Sequence, residues 1–248
     1  KKDVMDFDRN RPLLQDGNGG TEENLLYRSL LTRYLPGLFS GGGASIHRKA
    51  GYKMVYYINA SLLTLYRESV DSLSPNRFIL DLKDKSRFFQ GEESWSNWAP
   101  TNAYSYELSL PISATLSEAK MLLLQDLNRY LHLNGHLEQR IVSCLALQYN
   151  ANYQPSSISL IDNKQAIPTD TLPVNDLASL LFILNNQPFS DPPAPIFVNE
   201  IHGLKNIHLA LPASAISDTA ALRNILQIKG ITFHVAIRRM NMFVISEN

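Results

Sequence analysis

The residues able to do chemistry are few and poorly spaced for it. Cys144 is the single cysteine, which excludes an internal disulfide and a Cys-x-x-Cys dithiol. Val142 and Ala146 share its face of a predicted strand, so it reads as a small buried hydrophobe; a reactive thiolate needs an electropositive, accessible setting. His132 and His136 stand four residues apart, a metal-binding interval on a helix, but Asn134-Gly135 between them predicts a turn in which that geometry fails. His202 and His208, separated by Gly203, are expected on different elements. Gly41-Gly42-Gly43-Ala44-Ser45 lacks the Lys-Ser/Thr of a phosphate-cradling motif and reads as a loop. With no Gly-x-Ser-x-Gly elbow, His-Glu-x-x-His pair or paired-carboxylate motif, the expectation is no catalytic residue, no cofactor and no metal site. A hydrolase with dispersed catalytic residues stays open, because such groups need not be neighbours in sequence.

One segment carries recognition chemistry. Between Arg87 and Trp98 the chain places Phe88, Phe89, Trp95 and Trp98 in an otherwise polar stretch, and exposed aromatics are enriched at recognition surfaces. Exposed, these four side chains would stack on a peptide or a glycan. Folded back, Trp95 and Trp98 would instead act as lids over a sheet.

The elements that must position these residues follow from a repeat. Ser117 to Leu147 has a shorter echo from Ser217 to Ser246, at a spacing of about 100 residues, with apolar residues matching at core-like sites such as Leu122/Leu222 and Leu133/Phe233. Ala60-Ser61-Leu62-Leu63 likewise matches Ala178-Ser179-Leu180-Leu181, and Tyr104 to Pro111 and Asn206 to Pro212 both end in Leu-Pro. The spacing changes at an insert, Lys83 to Asn102, that holds both tryptophans, and insertions map to loops. Each copy reads helix, strand, strand, helix, strand, strand. Leu62, Leu65, Tyr66 and Val70 recur at helical spacing, as do Leu177, Leu180, Leu181 and Leu184, with Asn59 and Asn175 as N-caps. Tyr106, Leu108 and Leu110, and Ile207, Leu209 and Leu211, alternate as half-buried strands. The second helices, Ser117 to Tyr130 and Ser217 to Lys229, each feed a predicted hairpin, with turns at Glu138-Gln139-Arg140 and Arg238-Arg239-Met240-Asn241. The predicted class is α+β: two similar α-β-β-α-β-β halves, their helices packed on antiparallel sheets.

Domain limits follow. Residues 1–23 are polar and punctuated by Asp16-Gly17-Asn18-Gly19-Gly20, so they read as a linker from an upstream domain. The first half spans 24–150 and opens with an amphipathic helix, Asn24 to Leu35, stopped by Pro36-Gly37. A connector occupies 151–173 and the second half 174–248, where four prolines between Gln187 and Pro195 make a stiff approach to a strand. The start, Lys1-Lys2-Asp3, has neither initiator methionine nor apolar targeting segment and reads as trimmed, so it does not bear on location.

Composition bounds the partners. Apolar residues make up 44% and charged residues 19% of the 248, values that support a packed core and not a disordered chain. The 23 basic and 23 acidic residues cancel, which argues against nucleic acid, because that partner needs a basic field. No apolar run reaches the ~18 residues expected of a membrane span, so no integral membrane segment is expected.

Taken together, Asn59-x-Ser61-Leu62-x-x-Leu65-Tyr66, the tryptophan insert, Tyr104-x-x-Glu107-Leu108-x-Leu110-Pro111, and Leu131 followed by Leu137-Glu138-x-Arg140 resemble a bacterial family of uncharacterised envelope domains. So do Ala221-Leu222-Arg223, Gly230-Ile231 and Met242-Phe243-Val244-Ile245, and the resemblance covers residues 7–247. Its Val-x-Asp-x-Thr-Gly-Leu stretch departs here to Val198-Asn199-Glu200-Ile201-His202-Gly203-Leu204. Members are similar to the region following the thioredoxin-like domain of predicted membrane-associated disulfide reductases. The resemblance implies a non-catalytic accessory or recognition domain of a cell-envelope or periplasmic thiol-disulfide oxidoreductase-like protein, its partner an upstream thioredoxin-like domain or another protein. It supplies no active-site residues. The alternative is a free-standing peptide- or glycan-binding module using the Trp95/Trp98 loop with Phe88 and Phe89.

Overall fold

A computed structural model describes residues 7–70, 73–150, 170–202, 204 and 207–247. In chain order its strands and helices begin with β1 (Arg28–Arg33), β2 (Gly41–His47), β3 (Tyr52–Ala60), α1 (Leu62–Glu68), β4 (Phe78–Asp81), α2 (Trp95–Asn102), β5 (Tyr104–Pro111) and α3 (Leu116–Leu131). They continue with β6 (Leu133–Tyr149), β7 (Thr171–Val174), α4 (Leu177–Asn185), β8 (Phe197–Asn199), β9 (Leu209–Pro212), α5 (Ala213–Ile216), α6 (Thr219–Ile228) and β10 (Ile231–Glu247). The protein is α+β, as its sequence predicts. Two compact units form: the described residues of Lys1–Ser72, Leu82–Gly135 and Ser246–Asn248 make one, and those of Leu73–Asp81 and His136–Ile245 the other.

The first unit is built on an antiparallel sheet of order β1-β5-β3-β2. One face of it is tied to α1 and α3. Tyr106 donates to Asp126 Oδ2 at 2.8 Å, and Tyr57 donates to Glu68 Oε2 at 3.3 Å. Beneath the helices Leu62, Leu65, Tyr66, Leu108, Leu110 and Leu127 are buried. The helix boundaries follow local chemistry. Ser61 caps α1 by accepting from Thr64 N at 3.1 Å, and Thr115 caps α3 by accepting from Glu118 N at 3.0 Å, each satisfying an otherwise orphaned amide.

Two expectations fail in this unit for one reason. The sequence predicts a helix over Asn24 to Leu35, yet this segment supplies β1, with Arg28 opposite Ser109 and Arg33 opposite Tyr104. Pairing satisfies the backbone of β5, and Arg28 adds an ion pair to Glu107 at 3.0 Å; tertiary pairing overrides a weak helical preference. Gly41 to Ala44 was expected as a loop and instead begins β2. Ahead of these strands, residues 7–20 close around the buried Asn18, whose Nδ2 lies 2.9 to 3.0 Å from the carbonyl oxygens of Asp8, Arg11 and Pro12.

The second unit holds a sheet of order β4-β10-β6-β8, in which β8 runs parallel to β6, and a two-stranded antiparallel ribbon of β7 and β9. On one side Leu180 and Leu184 of α4, Leu222 and Leu226 of α6, Phe197 and Phe233 form its main core. A smaller cluster gathers Cys144, Ala146, Ile196, Ala236 and Met242. Asp176, not Asn175, caps α4 through a reciprocal box with Ser179, and Asp218 caps α6.

The two predicted hairpins do not exist. Leu133–Tyr149 and Ile231–Glu247 are each one strand of 17 residues, running straight through the expected turns. Asn150 N donates to Gly230 O at 2.9 Å and the Cys144 thiol to Ala236 O at 3.4 Å, so the partner number falls as β6 advances and the two strands are antiparallel. Each strand is paired with the other, about ninety residues away (Cys144 to Ala236 is |i−j| = 92), and local turn signals are blind to that. Among the described residues the repeated segments are arranged partly alike: β4 and β8 flank β10 and β6 in one sheet, whereas β5 lies in a four-stranded sheet and β9 in a two-stranded one.

Candidate functional site

The aromatic residues of the insert divide between core and surface. Part of the insert is helical, α2, and Trp95 and Trp98 at its start lie with ring centroids 5.2 Å apart. Trp98 is 3% exposed, packs with Ala99, Ala103 and Tyr34, and donates Nε1–H to Ser86 O at 2.8 Å. Phe88 is also buried, its ring 6.4 Å from that of Tyr66, and Phe89 is half-buried. Trp95 is 36% exposed and faces a groove.

That groove, about 630 Å³, runs between β2 and α1 and is lined by Gly42, Ala44, Tyr57, Thr64, Glu68 and Trp95 among others. β2 is its floor and the end strand of its sheet, so among the described residues one edge of β2 has no paired strand. Glycine shapes this edge. A Cβ on Gly42 would meet the Tyr57 ring at 2.7 Å, and one on Gly43 the Tyr56 hydroxyl at 2.8 Å. The two tyrosine side chains therefore lie across β2, one on each face, as alternation of β3 requires.

Upstream, Asn59 sets the entry to β2. It is fully buried in the left-handed region, φ 48°, where the β3–β5 register shifts between Tyr57 and Ala60. Its Oδ1 accepts from Leu35 N at 2.8 Å, and its Nδ2 donates to Leu35 O at 3.0 Å and Leu38 O at 2.9 Å. The residue expected as a helix cap is instead a clamp on the loop leading to β2. Past the other end of β2, Arg48 and Lys49 are exposed and His47 stacks on Tyr52 at 4.5 Å.

Electrostatics in the groove centre on Glu68. Its carboxylate accepts from Tyr57, and no cation pairs with it among the described residues. Burial, and next the Glu68 charge, push the Tyr57 phenol up to about 12. On the opposite face of the sheet a second groove of about 390 Å³ is lined by Leu30, Leu38, Met54, Tyr56 and Glu107 among others. Nearby on that face Ser109 Oγ is buried with no hydrogen-bond partner among the described residues.

Cys144, Asp126 and His132 each hold a place in the fold. Burial pushes the Cys144 thiol up and it is 2% exposed. Asp126 is engaged by Tyr106 and by Arg129 at 2.8 Å. His132 caps α3 in the left-handed region. Among the described residues no three His, Cys, Asp or Glu side chains gather at metal-binding range, and no helix is long and apolar enough to cross a membrane. What β2 and its groove can do is accept main-chain hydrogen bonds from an extended chain and seat a side chain.

Sequence reasoning reached Trp95 through its insert but missed β2, Tyr57, Asn59 and Glu68. The signal for β2 was present: three glycines shortly before Tyr56-Tyr57 offer the space that two large rings need. Compared with protein-family models, curated proteins and solved structures, the chain matches none of them.

Proposed function

We propose that this protein is a non-catalytic recognition domain that binds an extended polypeptide segment by strand addition to β2. The observation that carries the reading is the edge of Gly41–His47, unpaired among the described residues, beside a groove of about 630 Å³. An unpaired edge is a template for another chain: main-chain hydrogen bonds supply affinity and alternate side chains supply specificity. The sequence resemblance extends the reading to an accessory domain of a thiol-disulfide oxidoreductase-like protein in the cell envelope or periplasm, with the segment belonging to its redox domain or to a partner protein.

The test is titration of ¹⁵N-labelled protein with acetylated, amidated heptapeptides of alternating threonine and valine. The amides of Gly41–His47 are expected to shift and to gain protection from exchange. If millimolar peptide leaves β2 unchanged, strand addition is wrong. The redox setting has its own test in the coding sequence upstream: a Cys-x-x-Cys in a strand-to-helix context supports it, and a signal peptide running directly into Lys1 overturns it.

A second reading, glycan binding, is favoured by the half-exposed ring of Trp95. Soluble oligosaccharides that quench tryptophan fluorescence in the wild type and not in Trp95→Ala would establish it.

A further inference from the structure

The groove beside β2 combines features that an apolar side chain does not need. Tyr57 and Trp95 offer aromatic surface, and Glu68 brings a carboxylate with no cation partner among the described residues. Aromatic faces attract cations, and the attraction grows where water is partly excluded. A carboxylate at the same place adds Coulombic attraction of the same sign. An added strand presents every second residue to the helix-covered face; on that face β2 carries Gly42 and Ala44, opposite Tyr57 and Val55, along the groove, with Ile46 opposite Lys53 beyond its lining. Small floor residues leave room for a long side chain to reach inward.

We infer that this groove takes a lysine or arginine side chain of the segment added to β2, held between the Tyr57 and Trp95 rings and the Glu68 carboxylate. The inference rests on strand addition at β2 and assigns the chemistry of the residue recognised there. The aliphatic stem of such a side chain would lie on the apolar wall while its charged head meets Glu68.

The experiment compares two heptapeptides on the folded protein, Thr-Val-Thr-Lys-Thr-Val-Thr and the same peptide with norleucine for lysine, followed through tryptophan fluorescence and β2 amide shifts. The lysine peptide is expected to bind roughly tenfold more tightly, and the margin to shrink as salt is raised. Glu68→Gln should reduce the margin to about twofold, and Glu68→Lys should favour a glutamate-containing peptide instead. Glu68 is exposed, so both variants should retain the wild-type melting temperature. Equal binding of the two peptides, or a margin undiminished in Glu68→Gln, overturns the inference and leaves strand addition standing. Failure of both peptides to shift β2 overturns both.

Discussion

Tyr57 lies across Gly42 so closely that a Cβ on the glycine would stand 2.7 Å from Tyr57 Cδ1. The contact holds the tyrosine ring over β2, where its hydroxyl reaches Glu68 at 3.3 Å. Gly42→Val is expected to push the ring aside, costing roughly 1–3 kcal/mol as overpacking does. It should also break the Tyr57–Glu68 contact, returning the phenol toward its ordinary value. Urea midpoints and tyrosinate absorbance measure the two effects. A variant as stable as the wild type would show that the ring is not held there.

The two tryptophans should respond oppositely to truncation. Trp98→Ala opens a cavity against Ala99, Ala103 and Tyr34 and strands the Ser86 carbonyl, an expected loss of about 3–5 kcal/mol. Trp95→Ala removes a half-exposed ring and should cost under about 1 kcal/mol, while weakening heptapeptide binding. Thermal melts of the two variants decide it; equal losses would contradict this placement.

Asn59 should matter far beyond one side chain. Asn59→Ala removes three hydrogen bonds that hold Leu35 and Leu38 and leaves alanine at φ 48°. Stranded amide and carbonyl groups cost about 1–3 kcal/mol each, less what water recovers. Faster exchange at Leu35 N–H and weaker peptide binding are the expected readouts. Asn59→Gly, which relieves the backbone without restoring the bonds, should recover only the conformational part.

Alkaline pH should destabilise the protein through the half-buried phenol of Tyr57 and the buried ones of Tyr66 and Tyr106. Tyr57 is pushed up to about 12 by burial and then by Glu68, from an ordinary value of 10.0, and Tyr66 and Tyr106 are raised mainly by burial. The folded state therefore holds these protons more tightly than the unfolded chain. Their contribution to stability is complete below about pH 10 and is lost as pH rises through the folded values. For Tyr57 that window is pH 10 to about 12. Denaturation midpoints should fall across it, and less steeply in Tyr57→Phe. Parallel profiles for the two proteins would remove Tyr57 from the account.

Much of the scaffold was legible because it is written in neighbouring residues. The alternation of Tyr106, Leu108 and Leu110 gives β5, and the helix expected over Ser117 to Tyr130 is α3, Leu116–Leu131. The burial of Cys144 follows from its apolar flanks. The caps differ from those expected by one or two residues, Ser61 in place of Asn59 and Asp176 in place of Asn175.

The site was less legible, since its parts come from distant segments. By itself the sequence determined the α+β class, the helices α1, α3, α4 and α6, the strand β5 and an aromatic insert, all of which depend on periodicity and turn chemistry over a few residues. Only the tertiary structure decided that Asn24 to Leu35 yields a strand, that Leu133–Tyr149 and Ile231–Glu247 pair instead of folding back, and that Gly41–His47 forms an open edge. Those outcomes depend on which distant backbone is free to hydrogen-bond and where a ring needs space. Gly42 is unremarkable in sequence, and becomes part of a groove only when Tyr57 of the neighbouring strand crosses it.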